Sequence, residues 1–187
     1  AIGPGGIGLN SKLPMRMHVG IEPQSEGGLR WGEFNYFIPE RDAFTAFEKT
    51  QATTLIFEIL ASTARQFVRS TNARIWVCSE IPFFRGLNID PLLAATLATA
   101  WLLHLGVITP ADVERFVSEP TVALMNDKEF LHVWRLALRI ESVIATWVAD
   151  GDLIIASLID AKYPVIFFRE RDPILFDRCR DLGIYDP

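Results

Sequence analysis

The stretch WVCSEIPFFRGLNIDPLLAATLATA, residues 76–100, decides how this chain is read. Its first residues finish a short β-branched and aromatic run, Arg74–Cys78 (RIWVC), which has the composition of a strand. Ser79–Asp90 follows, with Pro82 and Gly86 as loop residues. From Pro91 to Ala111 there are 21 residues without a formal charge, PLLAATLATAWLLHLGVITPA. That is long enough for a bilayer span. Gly106, Thr109 and Pro110 interrupt it, however, and the flanking Asp90 and Asp112 bring no Lys/Arg cluster to orient a span. Its Ala- and Thr-rich middle suits close packing, so the pattern predicts a central buried helix from about Pro91 to Leu105 and no membrane partner.

Upstream, residues 1–40 read as β-rich. Met15–Ile21 alternates around Val19 and Ile21, and Gly27-Gly28 marks a turn before Leu29–Ile38, a run made aromatic by Trp31, Phe34, Tyr36 and Phe37. Within 42–68 the period changes. Leu55, Ile56, Ile59, Leu60, Thr63, Ala64 and Phe67 recur at helical spacing, with Arg65 and Arg69 on the wet side. Downstream, Thr109 is placed to cap a helix that begins with Pro110. A longer helix is expected from Asp127 to about Val148, with Phe130, Val133, Trp134, Ala137, Ile140, Ile144 and Trp147 on one face, broken at Asp150-Gly151-Asp152. Residues 153–158 fit helix or strand. Val165–Phe168 (VIFF) reads as a buried strand, and the tail from Pro173 as a short helix with a polar end. The order predicts an α+β fold: a β-rich N-terminal part and a mixed sheet with helices packed on one face.

Composition narrows the function. With 187 residues the chain fits one domain, and half of it is hydrophobic, too much for a disordered protein. Asp and Glu outnumber Lys and Arg by 23 to 18, which argues against a nucleic-acid partner. Cys78 and Cys179 make no metal or redox motif, so a reduced, cytoplasmic protein is expected. His18, His104 and His132 lack metal-ligand spacing, and His104, among Leu102, Leu103 and Leu105, reads as a core residue. Neither a Gly-x-Ser-x-Gly elbow nor a Walker-type loop is present. Arg169, Arg171, Arg178 and Arg180 alternate with Glu170, Asp172, Asp177 and Asp181, the pattern of a solvated, ion-paired face.

A loop running into a helix presents unpaired N–H groups and the positive end of the helix dipole, a natural place for phosphate. The same residues also have a purely structural account: Asp90 as N-cap, Pro91 as first helical residue and Gly86 as a turn. The run Ile81-Pro82-Phe83-Phe84-Arg85-Gly86-Leu87-Asn88, followed by an Ala-rich helix, resembles the phosphate-binding motif of the GHMP kinases. These include galactokinases, homoserine kinases, mevalonate kinases and diphosphomevalonate decarboxylases. Their motif, about Pro-x-x-x-Gly-Leu-x-Ser-Ser-Ala, lies between a strand and a buried helix. Pro82, Gly86 and Leu87 match it, whereas Ile89 and Asp90 stand where the serine pair would be. Serine hydroxyls in such kinases help coordinate phosphate and magnesium; an aspartate there repels phosphate unless a metal intervenes.

Two further stretches resemble the same family. Gly3-Pro4-Gly5-Gly6-Ile7-Gly8-Leu9, then Leu13-Pro14, is similar to the Gly-rich segment of homoserine kinases that leads into a β-hairpin, although composition alone also produces such strings. Ala137, Glu141, Gly151 and Asp152 follow the order of a family helix, turn and catalytic aspartate. The resemblance thus implies a GHMP-kinase-like domain over residues 1–168, with residues 169–187 a tail or the start of a second domain. It implies ATP and Mg2+ as cofactors and phosphorylation of a small-molecule alcohol. Nucleotide would be held by Pro82, Arg85, Gly86, Leu87, Asn88, Ile89 and Asp90, and Asp152 would accept the substrate hydroxyl proton. Asp150-Gly151-Asp152 is equally a helix-ending turn. The alternative is a domain of this fold without catalysis, acting as a binding or homo-oligomerisation module, for which five Trp and thirteen Phe supply apolar surface.

Overall fold

A computed structural model describes residues 7–10, 16–32, 35–36, 51–80, 89–118, 124, 126–144, 154, 157–158, 165–169 and 174–178. In chain order these form β1 (Ile7–Asn10), β2 (Met17–Pro23), β3 (Leu29–Trp31), β4 (Asn35–Tyr36), α1 (Gln51–Gln66), β5 (Ala73–Ser79), α2 (Ile89–His104), α3 (Pro110–Ser118), α4 (Lys128–Ile144), β6 (Val165–Arg169) and β7 (Ile174–Arg178). The α+β class and the mixed sheet with packed helices are as expected from the sequence.

Strand β5 is the centre of the mixed sheet. It pairs antiparallel with β2, Met17 opposite Ser79 and Ile21 opposite Ile75, and parallel with β3 and β4 on its other edge. Alternation sends Ala73, Ile75, Val77 and Ser79 into the core and leaves Arg74, Trp76 and Cys78 on the outer face. On that face Arg74 lies over the Trp76 ring at 5.7 Å and meets Glu22 at 3.9 Å. Between Trp31, opposite Ile75, and Asn35, opposite Cys78, the edge spends one residue more than β5 does. Gly32 sits in this irregularity and donates its N–H to the Ile75 carbonyl at 2.7 Å. A Cβ there would come within 2.6–2.8 Å of the Trp76 ring, so only glycine lets the indole lie against the edge.

The helices cover the inner face. Helix α2 packs on β2 and along α4, and α1 packs on α4 and β3. Because α2 is apolar nearly all round, it buries Leu93, Ala94, Ala95, Leu97, Ala98, Trp101 and Leu102. Thr96 and Thr99 return their hydroxyls to the carbonyls of Leu92 and Ala95 and so enter the interior satisfied. The Trp101 indole N–H donates to the Leu60 carbonyl at 3.0 Å, tying α2 to α1. The uncharged run of residues 91–111 is divided: α2 stops at His104, Gly106 turns the chain with φ +67°, and α3 starts at Pro110. No helix among the described residues is long and apolar enough to cross a membrane.

Local chemistry sets the other boundaries. Gly27 and Gly28 both have positive φ, as the turn before β3 requires. Asn72 holds that turn: its side-chain oxygen accepts from the Gly28 N–H and its amide donates to the Ser25 carbonyl. Thr109 and Asp112 form a reciprocal capping box at the start of α3. The Thr109 backbone N–H, then its hydroxyl, holds the Asp112 carboxyl below its ordinary value. Asp127 caps α4 by accepting from the Phe130 N–H at 2.7 Å. Arg115 reaches across from α3 to Asp127 at 2.7 Å, and also meets Asp112 and Glu129.

Some expectations change. The tail after Pro173 contains strand β7, paired antiparallel with β6, with Leu175 opposite Phe168 and Phe176 opposite Phe167. Strand β1 pairs with β6, and β2 with β5. Of residues 153–158, the described ones, Ile154, Ser157 and Leu158, are helical. Leu55, assigned to the apolar face of α1, is 38% exposed. Helix α1 ends in a Schellman arrangement: Arg69 N–H bonds to Ala64 O and Val68 N–H to Arg65 O. Its left-handed position, usually glycine, is Val68, with φ 54° and 91% exposure. A β-branched residue there is strained by about 1–2 kcal/mol with no packing return. Val68→Gly should therefore raise stability by a net amount of about 0.5–1 kcal/mol, after allowing for the freer unfolded chain, read as a higher Tm in thermal denaturation.

Candidate functional site

The point where the β5–α2 connection rejoins the fold is built from three elements. Strand β5 delivers Ser79, which is 4% exposed and opposite Met17. Beyond it Glu80 closes the strand pair twice: its N–H donates to the Arg16 carbonyl at 2.8 Å, and its carboxylate accepts from the Arg16 N–H at 3.0 Å. Helix α2 then starts at Ile89, which is 4% exposed. Asp90 and Pro91 fall inside its first turn, so Asp90 is not the N-cap but the second helical residue. Ile89 is buried with Pro91 and Leu93, and the helix begins two residues before Pro91.

Asp90 is half-buried, and desolvation holds its carboxyl above the ordinary carboxylate value. The helix dipole at that position favours the charge, so burial outweighs it. An incoming phosphate would meet this carboxylate. A hard divalent cation would instead find in it an oxygen donor of the kind magnesium accepts, one or two carboxylates alongside phosphate oxygens. The donor chemistry therefore fits Mg2+, whereas an uncompensated phosphate does not fit. Among the described residues no group of three or more His, Cys, Asp or Glu is placed to hold a metal by protein ligands alone.

A second carboxylate, enclosed and engaged within the protein, belongs to α4. Glu141 on α4 is 2% exposed. The first turn of α4, at Lys128, Glu129 and His132, shares a cleft with Leu105–Val107 just past the end of α2. The two packed helices therefore run antiparallel, and at about 1.5 Å per residue Glu141 stands roughly level with the first turns of α2. Sequence reasoning placed Glu141 only in an order of residues. The signal for its burial was its i+4 spacing from Ala137, on the apolar face.

Of the other sequence candidates, Pro82, Arg85, Gly86, Leu87, Asn88 and Asp152 lie outside the described residues. Of the seven nucleotide-loop candidates, the described ones, Ile89 and Asp90, are brought together on α2. His104 is half-buried rather than fully enclosed, stacked on Trp101 at 5.3 Å, and burial lowers its imidazole pKa. His18 is exposed on the outer sheet face, opposite the exposed, free Cys78.

No protein-family model and no curated protein matches this sequence. The fold is similar to the crystal structure of L. major mevalonate kinase in complex with R-mevalonate, with a TM-score of 0.60 and 8% sequence identity. The likeness covers 92% of this chain and 45% of that one, so the chain spans less than half of the matched protein. At that identity the likeness carries the fold, one like that of the mevalonate kinase, and nothing finer.

The raised carboxyl has a pH consequence. A folded-state value above the unfolded one means that stability from this group is full in acid and is lost as pH rises through the folded value. Asp90→Asn should therefore raise Tm at neutral pH, with the gain fading as pH falls toward the ordinary carboxylate range. A Tm gain that grows in acid would contradict burial as the dominant influence.

Proposed function

We infer that this chain is the nucleotide-binding part of a GHMP-type kinase that transfers phosphate from ATP to a small-molecule alcohol. The observation supporting it most is the first turn of α2. An enclosed helix follows β5 through a Pro- and Gly-bearing connection, in a fold like that of mevalonate kinase, and presents its N-terminus there.

In this reading the nucleotide phosphates lie against the Gly86, Leu87 and Asn88 backbone and the first amides of α2. Pro82 stiffens the loop entry, and Arg85 supplies positive charge. Asp90 would offer Mg2+ a carboxylate oxygen, and the ion would neutralise phosphate charge when bound. Ile89 anchors the turn by burial, so the amides stay aimed outward. Asp152 accepts the proton of the substrate hydroxyl as its oxygen attacks the γ-phosphorus and the bond to the β-phosphate oxygen breaks. In this reading the domain expected over residues 1–168 is completed by β7, which pairs with β6. Such a kinase would work in the cytoplasm.

Ile89 and Asp90 favour a second reading, in which the fold persists without catalysis as a binding or self-associating module. Two measurements separate the readings. Mg·ATP at a hundredfold excess over its Kd should stabilise a nucleotide-binding domain by about 2.7 kcal/mol, seen as a Tm rise of roughly 5–10 °C. No rise, together with a dimer by light scattering, sinks the kinase reading. Asp152→Asn should remove turnover, by about a thousandfold or more, while leaving the Mg·ATP shift intact; unchanged turnover would exclude Asp152 as the base.

A further inference from the structure

The opposite end of the α2–α4 pair, about 24 Å along α2 from Ile89, holds a different kind of site. The C-terminal ends of α1 and α2 meet the first turn of α4 there, around an open cleft of about 220 Å3. Three cationic or N–H-bearing side chains line it from two directions: Arg69 after α1, and Lys128 and His132 on α4. Phe67, Leu105 and Val107 supply its apolar wall, and Phe67 meets the His132 ring edge-on at 5.9 Å. The acidic residue at its rim, Glu129, is engaged by Arg115 at 3.6 Å. Arg69 and Lys128 have no ion pair with a carboxylate among the described residues. The lining thus sets two cations, Arg69 and Lys128, and one imidazole against the single carboxylate of Glu129.

Backbone strain marks the same place. Val68, the strained left-handed residue, stands between Phe67 and Arg69, and its own side chain is 91% exposed. It gains no packing from its conformation, and the two residues it positions are both in the cleft wall.

We propose that this cleft binds the phosphate group of a small phosphorylated molecule, at a site separate from the first turn of α2. A guanidinium offers a planar fork to two oxygens, an ammonium offers a point charge, and the imidazole offers a ring N–H. Together they suit a compact tetrahedral anion. The volume is below the roughly 300–1,000 Å3 of clefts that enclose drug-sized ligands, so the phosphate enters and the rest of the molecule stays at the open mouth. The inference stands apart from the kinase reading.

The test is an amide chemical-shift titration of the full chain with inorganic phosphate and, separately, with glycerol phosphate, without nucleotide or Mg2+. Saturable shifts at Arg69, Gly106, Val107 and Lys128, weakened about tenfold or more in Arg69→Gln/Lys128→Gln, are expected. Tighter binding of glycerol phosphate assigns the site to a phosphorylated metabolite, and tighter binding of inorganic phosphate to the free ion; either supports an anion site. Absence of saturable shifts to about 10 mM, equal shifts in the double variant, or shifts confined to Ile89 and Asp90 would overturn it. The wild-type shift map decides the matter by itself should the double variant fold poorly.

Discussion

Helix α2 is apolar on nearly every side, and that one property constrains the rest of the structure. A helix without a polar stripe is stable only when enclosed. Strand β2 covers one side, α4 runs along another, and the Trp101 indole reaches the Leu60 carbonyl to fasten α1. Since Trp101 is fully buried, its N–H needs that acceptor; an unpaired one would cost about 1–3 kcal/mol. The bond thus specifies how α1 and α2 meet. Once α2 is fixed along its length, its two ends are fixed as well, and both candidate sites lie at those ends.

Chemically the two ends differ. At the start of α2 is a carboxylate, the half-buried Asp90, and its use with phosphate requires a cation. At the far end are Arg69, Lys128 and His132, which take an anion directly. The intervening helix carries only apolar and hydroxyl side chains, and its Thr96 and Thr99 hydroxyls are spent on its own backbone. No charged side chain of α2 connects the ends, so each site draws its chemistry from the neighbouring elements.

Much of this was legible in the sequence where the cause is local. The alternation of Arg74–Cys78, the Gly27-Gly28 turn and the Thr109-Pro110 start each depend on residues adjacent in the chain, and the elements formed there. Pairing was not legible in the same way. Ile174–Arg178 contains two apolar residues, one aromatic and two charges, a mixture that fits a short helix until Val165–Arg169 supplies a partner strand. Asp90 was read as a cap because its type suits one; the burial of Ile89 at the helix start depends on packing. The anion cleft left almost no trace, since Arg69 and Lys128 are 59 positions apart. Its local clue was a valine after Phe67 where a helix end usually calls for glycine.

The contact between Gly32 and Trp76 shows how little tolerance the sheet's parallel edge has. A single hydrogen atom at position 32 is the clearance that admits the indole. Any larger substituent acts as a wedge between neighbouring strands, forcing either the ring to swing outward or the Gly32 N–H to leave the Ile75 carbonyl. The edge of the sheet is therefore latched by the smallest residue in the chain, and its integrity depends on a side chain that is not there.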